Sequence, residues 1–147
     1  GDSFSDLARA LWHAHPPERG DVACWGAQLP TFVENSADLR DEPYLADVAR
    51  AEWALHRCAT APDPVADLET LALLTHTDPA LLQLQLAPGS VVVASDWPVA
   101  SILGAHLEQS PTFAEVGLLL RDRVAQSAVV WRAGFKPCVR QGLSGEV

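Results

Sequence analysis

The chain has 147 residues, 48% of them hydrophobic, which is enough for one domain or for two small domains that share a core. Its formal net charge of −9 disfavours nucleic-acid binding, because an acidic surface repels the phosphate backbone. Three cysteines without CxxC spacing argue against a disulfide framework and against a structural zinc site. We find neither a secretory leader nor an apolar run of membrane-spanning length, so we expect a cytoplasmic protein with no membrane partner.

The first part of the chain has the apolar spacing of helices. Residues 2–15 predict a helix that ends at Pro16, because a proline ring clashes with a continuing helical turn. A second predicted helix begins near Asp21 and is bent or broken near Pro30. These patterns indicate a helical N-terminal region.

The third predicted helix covers residues 43–58, with Asp41 as its cap. At 100° per residue, one narrow arc of this helix carries Tyr44, Val48, Ala51 and Leu55, so we expect that arc to face a core. On the other side, Asp47 and Arg50 form an i,i+3 pair that we expect to be solvated. The Pro-rich segment 60–67 follows as a linker, and we therefore place a helical region at residues 1–62.

The remaining part, residues 63–147, mixes helical and strand patterns. A short helix over 64–74 is followed by two predicted strands joined near Pro88–Gly89. Helical spacing returns over 96–109, with Asp96 as N-cap, and a second hairpin is predicted around Ala133–Gly134. Helices followed by a small antiparallel or mixed sheet with helices predict the α+β class.

Glu52 and His56 are the strongest candidates for chemistry, because residues at i and i+4 of a helix can meet one metal ion. A mononuclear site needs a third ligand, however, and the neighbouring sequence offers none. We therefore favour a structural ion pair or hydrogen bond for this helix. His13 and His15, at the end of the first helix, fit a favourable interaction with the helix dipole better than a metal site.

The cysteines give no clear nucleophile. Cys24 and Cys58 lie in apolar helical segments, where a free cysteine usually behaves as a small hydrophobic residue. Cys138 follows Pro137 in a predicted strand. No GxSxG, P-loop, GxGxxG or HExxH motif occurs. We therefore predict no catalytic residues, no metal site, no cofactor and no enzymatic activity for this chain.

Four segments, taken in order, carry a resemblance to a known family. They read HAHPPERGDVACWGAQLPTFV, PYLADVARAEWALHR, DWPVASILGAH and AVVWRAGFKPCVRQ. These segments resemble the partner-protein family that accompanies multinuclear non-haem iron oxidases in bacterial peptide-modification clusters, such as those of methanobactin biosynthesis. The resemblance covers nearly the whole chain. Full-length members begin with a further helical region that is often labelled a DNA-binding domain, and we expect that region to be missing here.

The resemblance implies a non-catalytic subunit in the biosynthesis of ribosomally made, post-translationally modified peptides. Its partners would be the iron oxidase and the leader of the precursor peptide. The leader would add as a strand to the edge of the sheet, which gains affinity from backbone hydrogen bonds. If that edge is the SVVVA or the SAVVWR strand, the peptide-binding candidates are Val91, Val93, Val129 and Trp131. Core packing is the alternative for all four, since alternate strand residues must face a core.

Two other functions stay open from the sequence. A DNA-binding transcriptional regulator follows from the label given to related proteins, although the acidic composition makes nucleic acid an unfavourable partner. A small metal- or thiol-dependent enzyme would use His13, His15, Glu52, His56 or Cys58.

Overall fold

The computed structural model describes residues 2–18, 20, 22–63, 68–83, 86–108, 110–133 and 136–142. Within these ranges the chain forms six α-helices and one three-stranded antiparallel sheet, so the predicted α+β class is confirmed. The helices are α1 (Asp2–Ala14), α2 (Leu29–Glu34), α3 (Leu45–Thr60), α4 (Leu68–His76), α5 (Val99–Leu107) and α6 (Phe113–Arg121). The strands are β1 (Val91–Ser95), β2 (Gln126–Ala133) and β3 (Lys136–Gly142). Short 3-10 helices cover Val22–Gln28, Ala37–Leu39 and Pro79–Leu81.

The predicted second helix is in fact two elements. A 3-10 helix ends at Gln28, and α2 then begins at Leu29 with Pro30 in its first turn. Proline is favourable there because its missing N–H would have no partner inside the helix. Pro30 therefore lies at the start of a helix instead of bending one, and its side chain is buried.

The helix of the predicted 43–58 segment begins later than expected. Its N-cap is Tyr44, which makes no side-chain capping bond, so the prediction of Asp41 as the cap was wrong. Ala51 is fully buried, and Val48 and Leu55 pack against the main core, which confirms the predicted buried arc. The helix also packs against α2, because Ala46 and Ala49 are buried as well. An alanine-rich second face allows this close approach.

α5 and α6 connect β1 to β2. The N-cap of α5 is Pro98, so the prediction of Asp96 was wrong by two residues. Gly104 inside α5 has a packing reason: an added Cβ would lie 2.6 Å from the Ser110 carbonyl oxygen. The sequence reading missed α6, which starts at a capping box in which Thr112 and Glu115 satisfy each other's backbone N–H groups.

The sheet has the order β1-β2-β3, with both neighbouring pairs antiparallel. The predicted hairpin around Ala133–Gly134 is confirmed, because Ala133 pairs with Lys136 at the end of β2 and β3. The predicted hairpin at Pro88–Gly89 was wrong, since β1 pairs with β2 and the described residues before Gly89 are not in a strand. Gly89 has a φ of +82° and lies against Cys58, so this turn brings the chain back to α3.

The main core lies between α3, α5 and the inner face of the sheet. Its fully buried members include Cys58, Val99 and Val130. A smaller cluster joins Ile102 of α5 to Val116 of α6. α3 belongs to the first predicted region and the sheet belongs to the second, so the two regions share one core. The boundary between residues 62 and 63 stays a prediction.

Candidate functional site

β1 is an edge strand of the described sheet. β2 lies between β1 and β3, so its backbone N–H and C=O groups are shared between two ladders. An added peptide strand therefore cannot pair with β2. Of the two strands considered from the sequence, only the SVVVA strand has a free side among the described residues, and β3 forms the opposite edge.

The two edges differ in the features that protect a sheet against unwanted pairing. β3 carries Pro137, which has no backbone N–H, and also Lys136 and Arg140. β1 carries three consecutive valines and no charge, and Val91 and Val92 are 41% and 50% exposed. An uncharged, β-branched and exposed edge is a favourable template for another strand. The open edge at β1 is therefore the better candidate for peptide binding.

The four predicted peptide-binding residues divide between the two faces of the sheet. Val91 pairs with Val130 and Val93 pairs with Ala128, both of which are fully buried, so these two valines belong to the inner face. Val93 packs against the main core, and Val91, at the end of the strand, does not. Whether either residue binds a peptide stays a prediction.

Val129 and Trp131 belong to the outer face, because strand side chains alternate and their neighbours Ala128 and Val130 point inward. Both are half-buried, and neither is a member of the main core. Val129 pairs with the exposed Val92 of β1. The outer face next to the open edge is therefore apolar. Val92 belongs to this face, but it is not among the four residues predicted from the sequence. Alternation along β1 identifies it, because Val93 faces inward and its neighbour Val92 must then face outward.

A polar cavity of about 290 Å³ lies where β1 ends and β2 begins. Its lining residues are Asp47, Ala94, Ser95, Asp96, Ala125, Gln126 and Ser127. The Ser95 hydroxyl donates to the Asp47 carboxylate at 2.5 Å and accepts from the Trp97 backbone N–H at 3.0 Å. These bonds tie the end of β1 to α3 and define the length of the open edge.

Asp47 is consequently not the solvated residue that the helical pattern suggested. Its side chain is only 18% exposed, and it pairs with Arg50, which also contacts the Glu34 carboxylate at 2.6 Å. Deeper in the same region, Gln126 accepts from the Ser101 backbone N–H at 2.9 Å and donates to the Ser101 hydroxyl at 2.8 Å. All these polar groups have partners, so the network positions the strand ends and the helices.

Glu52 and His56 do not act together. The His56 ring lies 2.8 Å from the Ala23 carbonyl oxygen through Nε2 and stacks on Trp53, with 5.1 Å between the ring centroids. This histidine therefore fastens α3 to the 3-10 helix that precedes α2. Burial raises the pKa of Glu52, while the charge of His106 on α5 lowers it. The contacts of His56 fit the structural role expected for it, and the role of Glu52 stays a prediction.

The other candidates for chemistry are Cys58 and the two histidines at the end of α1. Cys58 is completely buried, and burial raises the pKa of its thiol, which disfavours the reactive thiolate. His13 and His15 are exposed, and the His15 carbonyl accepts the indole N–H of Trp25 at 2.6 Å. In the part of the chain that the structure describes, no three His, Cys, Asp or Glu residues lie close enough together to hold a metal ion.

Comparison of the chain with protein-family models, curated proteins and solved structures gives no match. None of the helices in the described ranges combines the length and apolar character needed to cross a membrane.

Proposed function

We propose that this chain is a non-catalytic partner subunit of a multinuclear non-haem iron oxidase. The oxidase would modify ribosomally made precursor peptides in the cytoplasm, and this chain would help to hold the leader of the precursor. In this role the chain needs no cofactor of its own and binds neither membrane nor nucleic acid.

The observation that supports this proposal is the open edge at β1. The strand exposes Val91 and Val92, carries no charge and has only one neighbour in the described sheet. Such an edge can bind an extended peptide through main-chain hydrogen bonds, with side-chain pockets on alternate positions for specificity.

The geometry also indicates which side chains a leader would meet. A strand added beside β1 would lie about 4.8 Å from it, so Val92 and Ala94 would be its direct neighbours on the outer face. Val129 and Trp131, one strand further, would lie about 10 Å away and would contact only long or aromatic leader side chains. On the inner face, Val91 offers the exposed contact and Val93 remains part of the core packing.

Co-expression with a multinuclear non-haem iron oxidase from the same organism tests the subunit. We expect one peak in size-exclusion chromatography that contains both proteins, with iron assigned to the oxidase after the two are separated. Elution of a folded chain apart from an iron-loaded oxidase would refute the proposal. Stoichiometric iron in the chain alone would also refute it.

Leader binding is tested separately with a fluorescent leader peptide and two N-methylated versions of it. In an added strand, every second N–H points towards β1. We therefore expect methylation of one alternating set of amides to abolish binding and methylation of the other set to leave it unchanged. Equal losses from both sets would exclude strand addition.

A charge placed on the strand provides the protein side of the same test. Val92→Lys introduces a residue that natural edge strands use against pairing, and we expect weaker leader binding. Leu118→Lys, at an exposed position of α6, is the matched control and should bind the leader like the wild type. Equal binding by wild type and Val92→Lys would place the leader elsewhere.

A further inference from the structure

Helix α4 is exposed on every side that the structure describes. Residues 69–76 are all exposed, including Leu71 at 56%, Leu73 at 42% and Leu74 at 59%. Leu71 and Leu74 lie three residues apart on one side of the nine-residue helix, and Leu73 lies on another side. The described residues do not bury these three leucines, which makes them candidates for an interaction surface.

The segment that carries α4 is nevertheless held firmly at its base. We call residues 62–88 the excursion, because the residues that flank it, Ala61 and Gly89, lie against each other at the end of α3. A Cβ added at Gly89 would lie 2.7 Å from the Ala61 Cβ and 2.9 Å from the Cys58 Cα. The backbone at both ends of the excursion therefore packs against the end of α3.

Arg132 of β2 closes the base further. Its guanidinium donates to the Ala61 carbonyl at 2.8 Å and to the Pro62 carbonyl at 3.2 Å, and it contacts the Asp63 carboxylate at 2.5 Å. The Arg132 side chain is only 10% exposed. A buried guanidinium with three acceptors makes this a defined junction, so α4 belongs to a segment anchored at a fixed point of the fold and is not a frayed chain end.

The excursion also has a distinctive charge. No Lys or Arg occurs between Arg57 and Arg121, and the same stretch contains the acidic residues Asp63, Asp67, Glu69, Asp78, Asp96, Glu108 and Glu115. Within the excursion, Leu81 and Leu86 are 78% and 69% exposed, in addition to the leucines of α4. The exposed leucines of the excursion therefore have acidic residues and no basic residue beside them in the sequence, and we call Asp63, Asp67, Glu69 and Asp78 the acidic surround.

These properties restrict what can cover α4. A second copy of the chain is disfavoured because the two surfaces would carry the same negative charge. Anionic lipid surfaces and nucleic acids repel the same charge. A protein surface with an apolar centre and a rim of Lys and Arg is complementary in both respects.

We propose that α4 is the docking helix through which this chain binds a protein partner with an apolar, basic-rimmed surface. Resting on the function proposed above, that partner is the iron oxidase. The excursion returns at Gly89, two residues before β1, so the helix proposed to dock the oxidase and the strand proposed to hold the leader follow each other along the chain. Docking and leader binding would then use separate residues of one continuous segment.

The test uses matched pairs of exposed leucines. Leu71→Gln with Leu74→Gln changes α4, and Leu107→Gln with Leu118→Gln makes the same chemical change at exposed positions of α5 and α6. All four residues are exposed, so both variants should keep the wild-type circular dichroism and melting temperature. We expect the α4 variant to bind the purified oxidase about tenfold or more weakly, as truncation of interface anchors does, and the control variant to bind normally.

The acidic surround is tested by charge reversal. Glu69→Lys should weaken binding to the oxidase and reduce its dependence on salt, whereas Glu18→Lys, outside the excursion, should change neither. Equal binding of the oxidase by wild type and the α4 variant would overturn the docking helix while leaving the proposed function in place. Failure of the wild type to bind the oxidase would overturn both, and a wild-type dimer that the α4 variant loses would assign α4 to self-association instead.

Discussion

Helices α4 and α5 have the same length and similar apolar compositions, yet they differ in how far the fold buries them. Both contain nine residues, with the sequences LETLALLTH and VASILGAHL. In α5 every residue from Val99 to Ala105 is buried, whereas every described side chain of α4 is exposed. α5 lies against the sheet, α3 and α6, and α4 belongs to a segment whose two ends pack against the end of α3.

The difference between these helices teaches that apolar content alone does not determine burial. α5 contains Ser101, Gly104 and Ala105, which are small enough to let neighbouring elements approach on several sides. α4 has larger side chains around its circumference and no partner element of comparable size within the described chain. A partner protein would give α4 the environment that the fold gives α5.

The largest expected effect compares the two helices directly. Leu103→Ala in α5 removes a side chain that is 2% exposed, and we expect it to lower the free energy of unfolding by about 2–5 kcal/mol. Leu74→Ala in α4 should change it by no more than about 0.5 kcal/mol. Urea denaturation followed by circular dichroism measures both. Similar losses for the two variants would mean that α4 is packed in solution.

The second prediction concerns the base of the excursion. Arg132→Leu leaves the Ala61 and Pro62 carbonyls without their charged donor, and we expect a loss of about 2–3 kcal/mol. Arg140→Leu removes an exposed ion pair with Glu108 and should cost no more than about 1 kcal/mol. Limited proteolysis should also cut the excursion faster in Arg132→Leu. Unchanged cleavage would show that this arginine does not hold the base closed.

The third prediction compares a helix N-cap with a side-chain hydrogen bond inside a helix. Thr112→Ala removes the side-chain acceptor of the α6 capping box and should lower the free energy of unfolding by about 1 kcal/mol. Thr75→Ala, near the end of α4, removes exposed hydrogen bonds to the Ala72 carbonyl and to Nδ1 of His76 and should have little effect. Thermal unfolding of the two variants gives the comparison, and equal stabilities would contradict it.

The smallest effect is expected at Glu52, where burial raises the carboxyl pKa. The folded state then binds a proton more readily than the unfolded state. The free energy of unfolding therefore falls as the pH rises from the usual carboxyl range through the folded pKa, because ionising Glu52 is less favourable in the folded state. Glu52→Gln should therefore melt at the same or a slightly higher temperature at pH 7, and the difference should shrink in acid. A variant that is less stable at pH 7 would indicate that the charge of His106 outweighs the effect of burial.

The sequence predicted the elements whose signals are local. Helix α1 and the hairpin of β2 and β3 were found, because apolar spacing and a short turn identify them without distant contacts. Helix α6 was missed although Thr112 and Glu115 form a capping box in front of an apolar run, so the signal was present and went unused. The partner of β1 was missed for a different reason, since its pairing with β2 spans two intervening helices.

The open edge at β1 was likewise only partly predictable from the sequence. The valine-rich character of residues 91–93 could be seen in the sequence, but the strand order that leaves β1 at an edge and puts β2 in the centre could not. The separation of Val129 and Trp131 from Val91 and Val93 depended on register, because a shift by one residue exchanges the two faces of a strand.

By itself, the sequence determined the α+β class, the buried arc of α3 and the acidic, apolar character of the segment that carries α4. Local spacing, capping chemistry and charge are properties of neighbouring residues, so they can be read along the chain. Only the tertiary structure decided that Ala61, Gly89 and Arg132 meet at one junction, that β1 stays open, and that α5 is buried while α4 is not. Those outcomes depend on contacts between distant residues, which local patterns do not specify.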